Sequence, residues 1–141
     1  MTKKYHIGYT QGTFDMFHIG HLNIVKSASS LCDLLIVGVN SDELVQKYKF
    51  KKPIIEESNR AEIVRNIKGV DDVIVCNSLD KIKIWNAIHF DAIFIGDDWK
   101  GNNRWKKTEY ELKKVGAEVV YLPHTNGISS TILREKMLLN K

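Results

Sequence analysis

Residues 7–25 read IGYTQGTFDMFHIGHLNIV. The apolar-rich run Tyr5–Thr10 ends at Gly12 and predicts a first strand. From Ile19 to Ser30, Leu22, Val25 and Ala28 recur at helical spacing and predict a helix. A strand that hands over to a helix across one glycine-bearing turn is the opening of an α/β unit, and the rest of the chain continues in that way. LLIVGV (34–39) is continuously apolar, as expected of a strand covered on both faces. Asp42–Gln46 reads as a short helix and Tyr48–Glu57, with Pro53, as a loop. Asn59 with Glu62 three residues later reads as a helix start, followed by the stripe Ile63, Val64 and Ile67. Val73–Cys76, Ala92–Ile95 and Glu118–Leu122 complete the strands. Asp80–His89, Trp105–Val115 and a last helix capped by Ser129 or Ser130 complete the helices. Such alternation predicts a single Rossmann-like α/β domain over residues 1–141: a five-stranded parallel sheet with helices on both faces.

In folds of this kind, ligands bind outside the carboxyl ends of the strands. Three polar, glycine-bearing stretches fall there: GTFDMFHIGH (12–21), GDDWKG (96–101) and HTNGISST (124–131). They converge on one edge, which is therefore the expected site.

Bulk properties exclude several classes. The chain has 141 residues, 43% hydrophobic and 27% charged, as in an ordinary globular domain. No apolar run approaches the roughly 20 residues that cross a bilayer. The amino terminus lacks the apolar core of a signal peptide, so a cytosolic setting without membrane attachment is expected. Cys32 and Cys76 match no zinc or redox spacing and read as buried, reduced thiols. The net charge of +4 accompanies no basic run with interleaved aromatics. A small anionic substrate is therefore expected rather than nucleic acid.

Neither G-x-G-x-x-G nor the P-loop pattern occurs. Yet a helix amino terminus directly after the first strand presents unpaired N–H groups and is suited to phosphate. Gly12 lets the backbone come close, and Thr13 adds a hydroxyl. His18 and His21, at i and i+3, share one face of the first turn and can donate to a phosphate. Backbone capping or a metal pair are the alternatives for them. KYKFKK (47–52) supplies four lysines, as substrate contacts or as a solvated loop. Asp97 and Asp98 either accept from ribose hydroxyls, help hold Mg²⁺ bridging phosphates, or form a turn. Asp15 orients its loop or faces a second substrate; Trp99 shapes the pocket or packs.

GTFDMFHIGH resembles the H-x-G-H signature of the nucleotidyltransferase superfamily, and ISST (128–131) resembles its second signature. With GDDWKG and VVYLPHTNGISST, nearly the whole chain resembles the glycerol-3-phosphate cytidylyltransferases. The resemblance implies transfer of a cytidylyl group from CTP, with Mg²⁺, to glycerol 3-phosphate or a close alcohol phosphate. Phosphocholine, phosphoethanolamine, glycerol 2-phosphate, an ATP-using relative or a non-catalytic CTP-binding module are the alternatives. It implies catalytic roles for His18, His21, Lys49 and Lys51. It places nucleotide contacts at Gly12, Thr13, Phe14, Asp98, His124, Thr125, Gly127, Ile128, Ser129, Ser130 and Thr131. It places acceptor contacts at Asp15, Lys49, Lys51, Lys68 and Trp99. A homodimer with Val70–Val73 near its interface, and a place in teichoic-acid or capsule synthesis, are also implied. The chain departs from the family pattern where His124 replaces an arginine, Asn126 a glutamate and Lys68 an arginine. Each arginine lost is a bidentate phosphate fork lost; Arg104 is a candidate compensation.

Overall fold

The computed structural model describes residues 3–140; Met1, Thr2 and Lys141, the ends of the expected domain, lie outside them. The elements are β1 (Tyr5–Gly12), α1 (Ile19–Leu31), β2 (Cys32–Asn40), α2 (Asp42–Lys49), α3 (Glu57–Arg65), β3 (Asp72–Cys76), α4 (Lys81–Ile88), β4 (Ala92–Gly96), α5 (Asn103–Lys114), β5 (Glu118–Leu122) and α6 (Ser130–Leu139), with a single 3₁₀ turn at Asp97–Trp99. All strand pairs are parallel, in the order β3-β2-β1-β4-β5. The chain runs outward from β1 to β3, then crosses back to β4. The switch leaves a crevice between the carboxyl ends of β1 and β4.

Alternate residues of each strand feed two cores. Leu35, Val37 and Val39 of β2 and Phe94 of β4 meet Val25 and Ala28 of α1 and Ala61 and Val64 of α3. On the other face, Tyr9 and Ile93 meet Ile84 of α4 and Trp105 and Leu112 of α5. Cys32 and Cys76 are free and buried, one in each core. Burial raises both thiol pKa values, which keeps them protonated and inert.

Gly38 shows how tightly the second core closes. A Cβ there would lie 2.0 Å from the Tyr9 hydroxyl and 2.8 Å from Cys76 Sγ. Gly38→Ala is therefore expected to cost about 3 kcal/mol by overpacking, read as a lowered urea midpoint at unchanged m-value.

The segment after β2 differs from the sequence expectation. Helix α2 continues to Lys49, where Phe50 closes it in the left-handed conformation (φ 59°). Helix α3 begins at Glu57, so Asn59 lies inside it and caps nothing. The cap is tertiary: Asp42 N–H donates to the Glu57 carboxylate (3.0 Å) and Glu57 N–H to the Asp42 carboxylate (3.3 Å).

Lys68 requires a correction. It lies on the α3–β3 connection, where Asp71 N–H donates to Leu35 O (2.9 Å) at the amino-terminal half of β2. In a parallel sheet that is the opposite end from the crevice, so Lys68 does not reach this chain's own site.

Candidate active site

At the carboxyl edge a cleft of about 810 Å³ opens. Its walls bring together Gly12, Thr13, Phe14, Asp15, His18, His21, Lys49, Lys51, Asp98, Trp99, His124, Thr125 and Gly127 through Thr131. All the expected site residues except Lys68 therefore border one space.

The turn after β1 carries two non-glycine residues at positive φ, Phe14 (55°) and Met16 (50°). Such backbone persists only where its surroundings hold it. Asp15, between them, is almost fully buried. Its carboxylate accepts from Ile54 N–H (2.8 Å), Ile55 N–H (2.9 Å) and Arg134 (2.7 Å). These donors hold its pKa below the ordinary value against the opposing effect of burial. Asp15 thus orients the loop, with three of its roughly four acceptor sites taken by the protein. Phe14 borders the cleft, and its ring packs against Phe17 and His21.

His18 is the N-cap of α1: its Nδ1 accepts from Gly20 N–H (3.0 Å). His21 Nδ1 accepts from His18 N–H (3.2 Å). Each ring uses Nδ1 as acceptor, so each neutral ring carries its proton on Nε2. The rings stack with centroids 3.7 Å apart. Capping and ligand donation are therefore compatible: one nitrogen serves the backbone, and the other has no partner among the described residues. Gly20 is required here, because a Cβ would lie 2.9 Å from His18 Cε1. Burial lowers the pKa of both histidines, that of His21 to about 3, with His18 adding to the effect. Both are neutral donors at pH 7.

The histidine shift has a consequence for stability. Between pH 6.5, the ordinary histidine value, and about 3, the unfolded chain binds a proton at His21 that the folded chain does not. Folding stability is expected to fall by about 1.4 kcal/mol per pH unit as pH drops through this window. Below the carboxylate range, protonation of Asp15 adds to the loss. Denaturant midpoints at pH 7, 6, 5 and 4 check the slope; His21→Gln removes its main part.

Across the cleft, Ser129 caps α6 by accepting from Ile132 N–H (3.1 Å). Ser130 donates to Asp15 O (2.6 Å), and Thr125 accepts from Asn23 of α1 (2.8 Å). Gly127, at φ 79°, makes the turn into the helix. Two helix amino termini, of α1 and α6, thus face one space, an arrangement that attracts phosphate. His124 pairs with Asp97, which raises the imidazole pKa and lowers that of the carboxyl. Donor atoms of Asp97, Asp98 and His124 lie within 4.8 Å of one another.

Three residues that the sequence reading did not assign to the site also build it. Arg60, 1% exposed, donates to Thr13 O (2.7 Å), Asn40 O (2.8 Å), Ile55 O (2.8 Å) and Asp42 (2.5 Å). It ties the turn after β1 to β2 and to the end of the lysine loop. Its signal was legible: it stands four residues before Val64, on the buried face of α3. Arg134 and Lys81 reach the cleft from α6 and α4, and no spacing in the sequence announces either.

Comparison with known proteins agrees with this geometry. The cytidylyltransferase-like family model matches residues 9–136. A glycerol-3-phosphate cytidylyltransferase of Bacillus spizizenii is 38% identical over 91% of this chain and 94% of its own length. An FAD synthase of Korarchaeum cryptofilum is 37% identical over 90% of this chain and 88% of its own. A lipopolysaccharide core biosynthesis protein of Thermoplasma volcanium superposes with a TM-score of 0.75 at 26% identity, over 86% of this chain and 99% of that one. The chain belongs to the cytidylyltransferase-like family of nucleotidyltransferases.

Proposed function

We propose that this member of the family transfers the cytidylyl group of CTP to glycerol 3-phosphate, giving CDP-glycerol and pyrophosphate. The observation that carries the reading is the stacked His18–His21 pair, with both Nδ1 atoms committed to backbone, facing the amino end of α6 and Lys49 across one cleft. The likeness to the Bacillus spizizenii protein supports the choice of acceptor.

An oxygen of the acceptor phosphate attacks the α-phosphorus of CTP. The bond to the bridging oxygen breaks, and pyrophosphate departs with the electron pair. A phosphate monoester is mostly dianionic near pH 7, since its second pKa is about 6, so no base is needed. The barrier is anion repulsion and charge on the leaving group, which positioning and electrostatics lower. Neutral Nε2–H donors of His18 and His21, the N–H groups at the start of α6, and the Lys49 and Lys51 ammonium groups meet that charge. Mg²⁺ bound with the triphosphate would neutralise part of it. The oxygen donors of Asp97 and Asp98, close to His124, fit such an ion.

A second reading, adenylyl transfer from ATP, draws on the FAD synthase likeness. Homodimerisation with Val70–Val73 near the interface, and a role in teichoic-acid or capsule synthesis, follow from the same family reading. Sedimentation velocity tests the dimer. Pyrophosphate release with Mg²⁺, crossing CTP and ATP against glycerol 3-phosphate, glycerol 2-phosphate, phosphocholine and phosphoethanolamine, tests the reaction. Release is expected with CTP and glycerol 3-phosphate; release with ATP alone would sink the cytidylyl assignment.

A further inference from the structure

A chain of hydrogen-bonded side chains runs from the second core to the cleft. Tyr9 and Gln11 share one face of β1, Asn40 ends β2, and Tyr48 lies in the last turn of α2. The direction of every bond is set from one end. Ser78 O is a carbonyl and only accepts, so the Gln11 amide turns its nitrogen toward it (3.1 Å). The other N–H of that nitrogen goes to Asn40 Oδ1 (2.8 Å), while Gln11 Oε1 accepts from the Tyr9 hydroxyl (2.7 Å). The Tyr9 proton is thereby used, which makes Cys76 the donor in its 3.2 Å contact with Tyr9. With Oδ1 committed to Gln11, Asn40 presents Nδ2 to the cleft side. Its two N–H bonds go to the hydroxyls of Tyr48 (3.2 Å) and Thr13 (3.4 Å).

Those two hydroxyls lie 3.0 Å apart, and both residues border the cleft. Each hydroxyl carries one proton, and Asn40 offers them only donors. One proton therefore bridges the pair, and the other has no acceptor among the described residues. A phenol is the better donor and the poorer acceptor, so Tyr48 donates to Thr13. Thr13 Oγ1 then accepts from both Tyr48 and Asn40, and its own O–H is left for the cleft. The backbone is fixed at the same two points, because Arg60 donates to Thr13 O (2.7 Å) and to Asn40 O (2.8 Å).

We propose that Tyr48 is a positioning residue for the transfer reaction: with Asn40, it fixes the Thr13 hydroxyl as a donor to a phosphate oxygen bound in the cleft. This rests on the transferase reading above for the identity of the ligand. Ionised phosphate oxygens only accept, so an outward donor matches them. A donor held in place before the ligand arrives costs no reorganisation when charge develops. The phosphates of the nucleotide and of the acceptor share this chemistry, and the experiment separates them.

The test is a double-mutant cycle of Tyr48→Phe and Thr13→Val, with Thr13→Ser as the conservative variant. Tyr48→Phe keeps the ring that lies under Lys49 (5.6 Å) and removes only the hydroxyl. The α,β-methylene analogues of CTP and ATP are titrated calorimetrically into each protein, and glycerol 3-phosphate into each protein saturated with the CTP analogue. Thr13→Val is expected to weaken one of these ligands about tenfold and Tyr48→Phe about fivefold, as for loss of a hydrogen bond to a charged group. The double variant should lie within about twofold of Thr13→Val, because Tyr48 acts through the hydroxyl already removed. Thr13→Ser should stay within about threefold of wild type, since serine keeps the donor. Urea midpoints of Tyr48→Phe and Thr13→Ser close to that of wild type separate these effects from loss of fold. A loss confined to the nucleotide analogues puts the oxygen on the nucleotide, and one confined to glycerol 3-phosphate puts it on the acceptor. Single effects that multiply in the double variant overturn the proposal, as do unchanged affinities in Tyr48→Phe or failure of wild type to bind any of the probes. If no pyrophosphate is released from CTP or ATP with any acceptor, the transferase reading fails, while the titrations still decide the role of Tyr48.

Discussion

His21→Ala is expected to lower kcat for pyrophosphate release by about 10²–10³, with a much smaller change in KM for CTP. Removing one preorganised donor aimed at developing charge costs about 2.7–4 kcal/mol of transition-state stabilisation in a water-poor site. His21 is such a donor: it is largely buried, neutral, and its Nδ1 is held by His18 N–H, so Nε2–H carries no other obligation. Alanine removes that donor. It also uncaps His18 N–H and removes a ring stacked on His18 at 3.7 Å. The loss therefore includes some disorder in the first turn of α1. His21→Gln separates the two effects, since an amide can still cap and donate, and it should recover part of the rate. Stopped-flow or coupled assays at saturating CTP read kcat. A variant within threefold of wild type would remove His21 from the mechanism.

Arg60→Met is expected to destabilise the fold by about 3–5 kcal/mol, the range for breaking a buried ion pair from one side. The guanidinium satisfies three backbone carbonyls, of Thr13, Asn40 and Ile55, besides the Asp42 carboxylate. Methionine fills much of the volume yet donates nothing. The three carbonyls then lie near apolar surroundings without partners, and Asp42 loses its counter-charge. Because those carbonyls belong to the turn after β1, the end of β2 and the end of the lysine loop, the first two bordering the cleft, activity should fall beyond the unfolded fraction. Differential scanning calorimetry and kcat at 15 °C separate the two. Arg60→Lys restores charge without the fork, and is expected to recover less than half of the stability.

The register of α3 illustrates how far local pattern reaches. Asn59 with Glu62 looks like a capping pair, and a local rule places the helix start there. The helix starts instead at Glu57, since Asp42 from another helix supplies the capping carboxylate. That partner is 15 residues away, outside any window a local rule inspects. Lys68 teaches the same point from the other side. Its place in the family pattern suggested a substrate contact, yet the parallel sheet puts the α3–β3 turn at the end opposite the cleft. The split role of the histidines was only half legible. Spacing put His18 and His21 on one face, and chemistry allowed either caps or donors. The backbone geometry of the first turn takes both Nδ1 atoms as caps and leaves both Nε2–H groups without a partner among the described residues.

The sequence by itself determined the order of strands and helices, their parallel arrangement, and the three stretches that meet at the carboxyl edge. These rest on short-range periodicity and on the direction every crossover must take, and both can be read along the chain. It also carried the reaction class, through the resemblance of H-x-G-H and I-S-S-T to the signatures of a known superfamily. Only the tertiary structure decided which groups face the cleft and in what state. Arg134 and Lys81 border it from separate helices, and buried Arg60 braces its wall from α3. The histidine pKa values are lowered by burial, and His124 is paired with Asp97 across the β4 and β5 ends. Desolvation and pairing depend on what lies within a few ångströms in space, and those neighbours are distant in sequence.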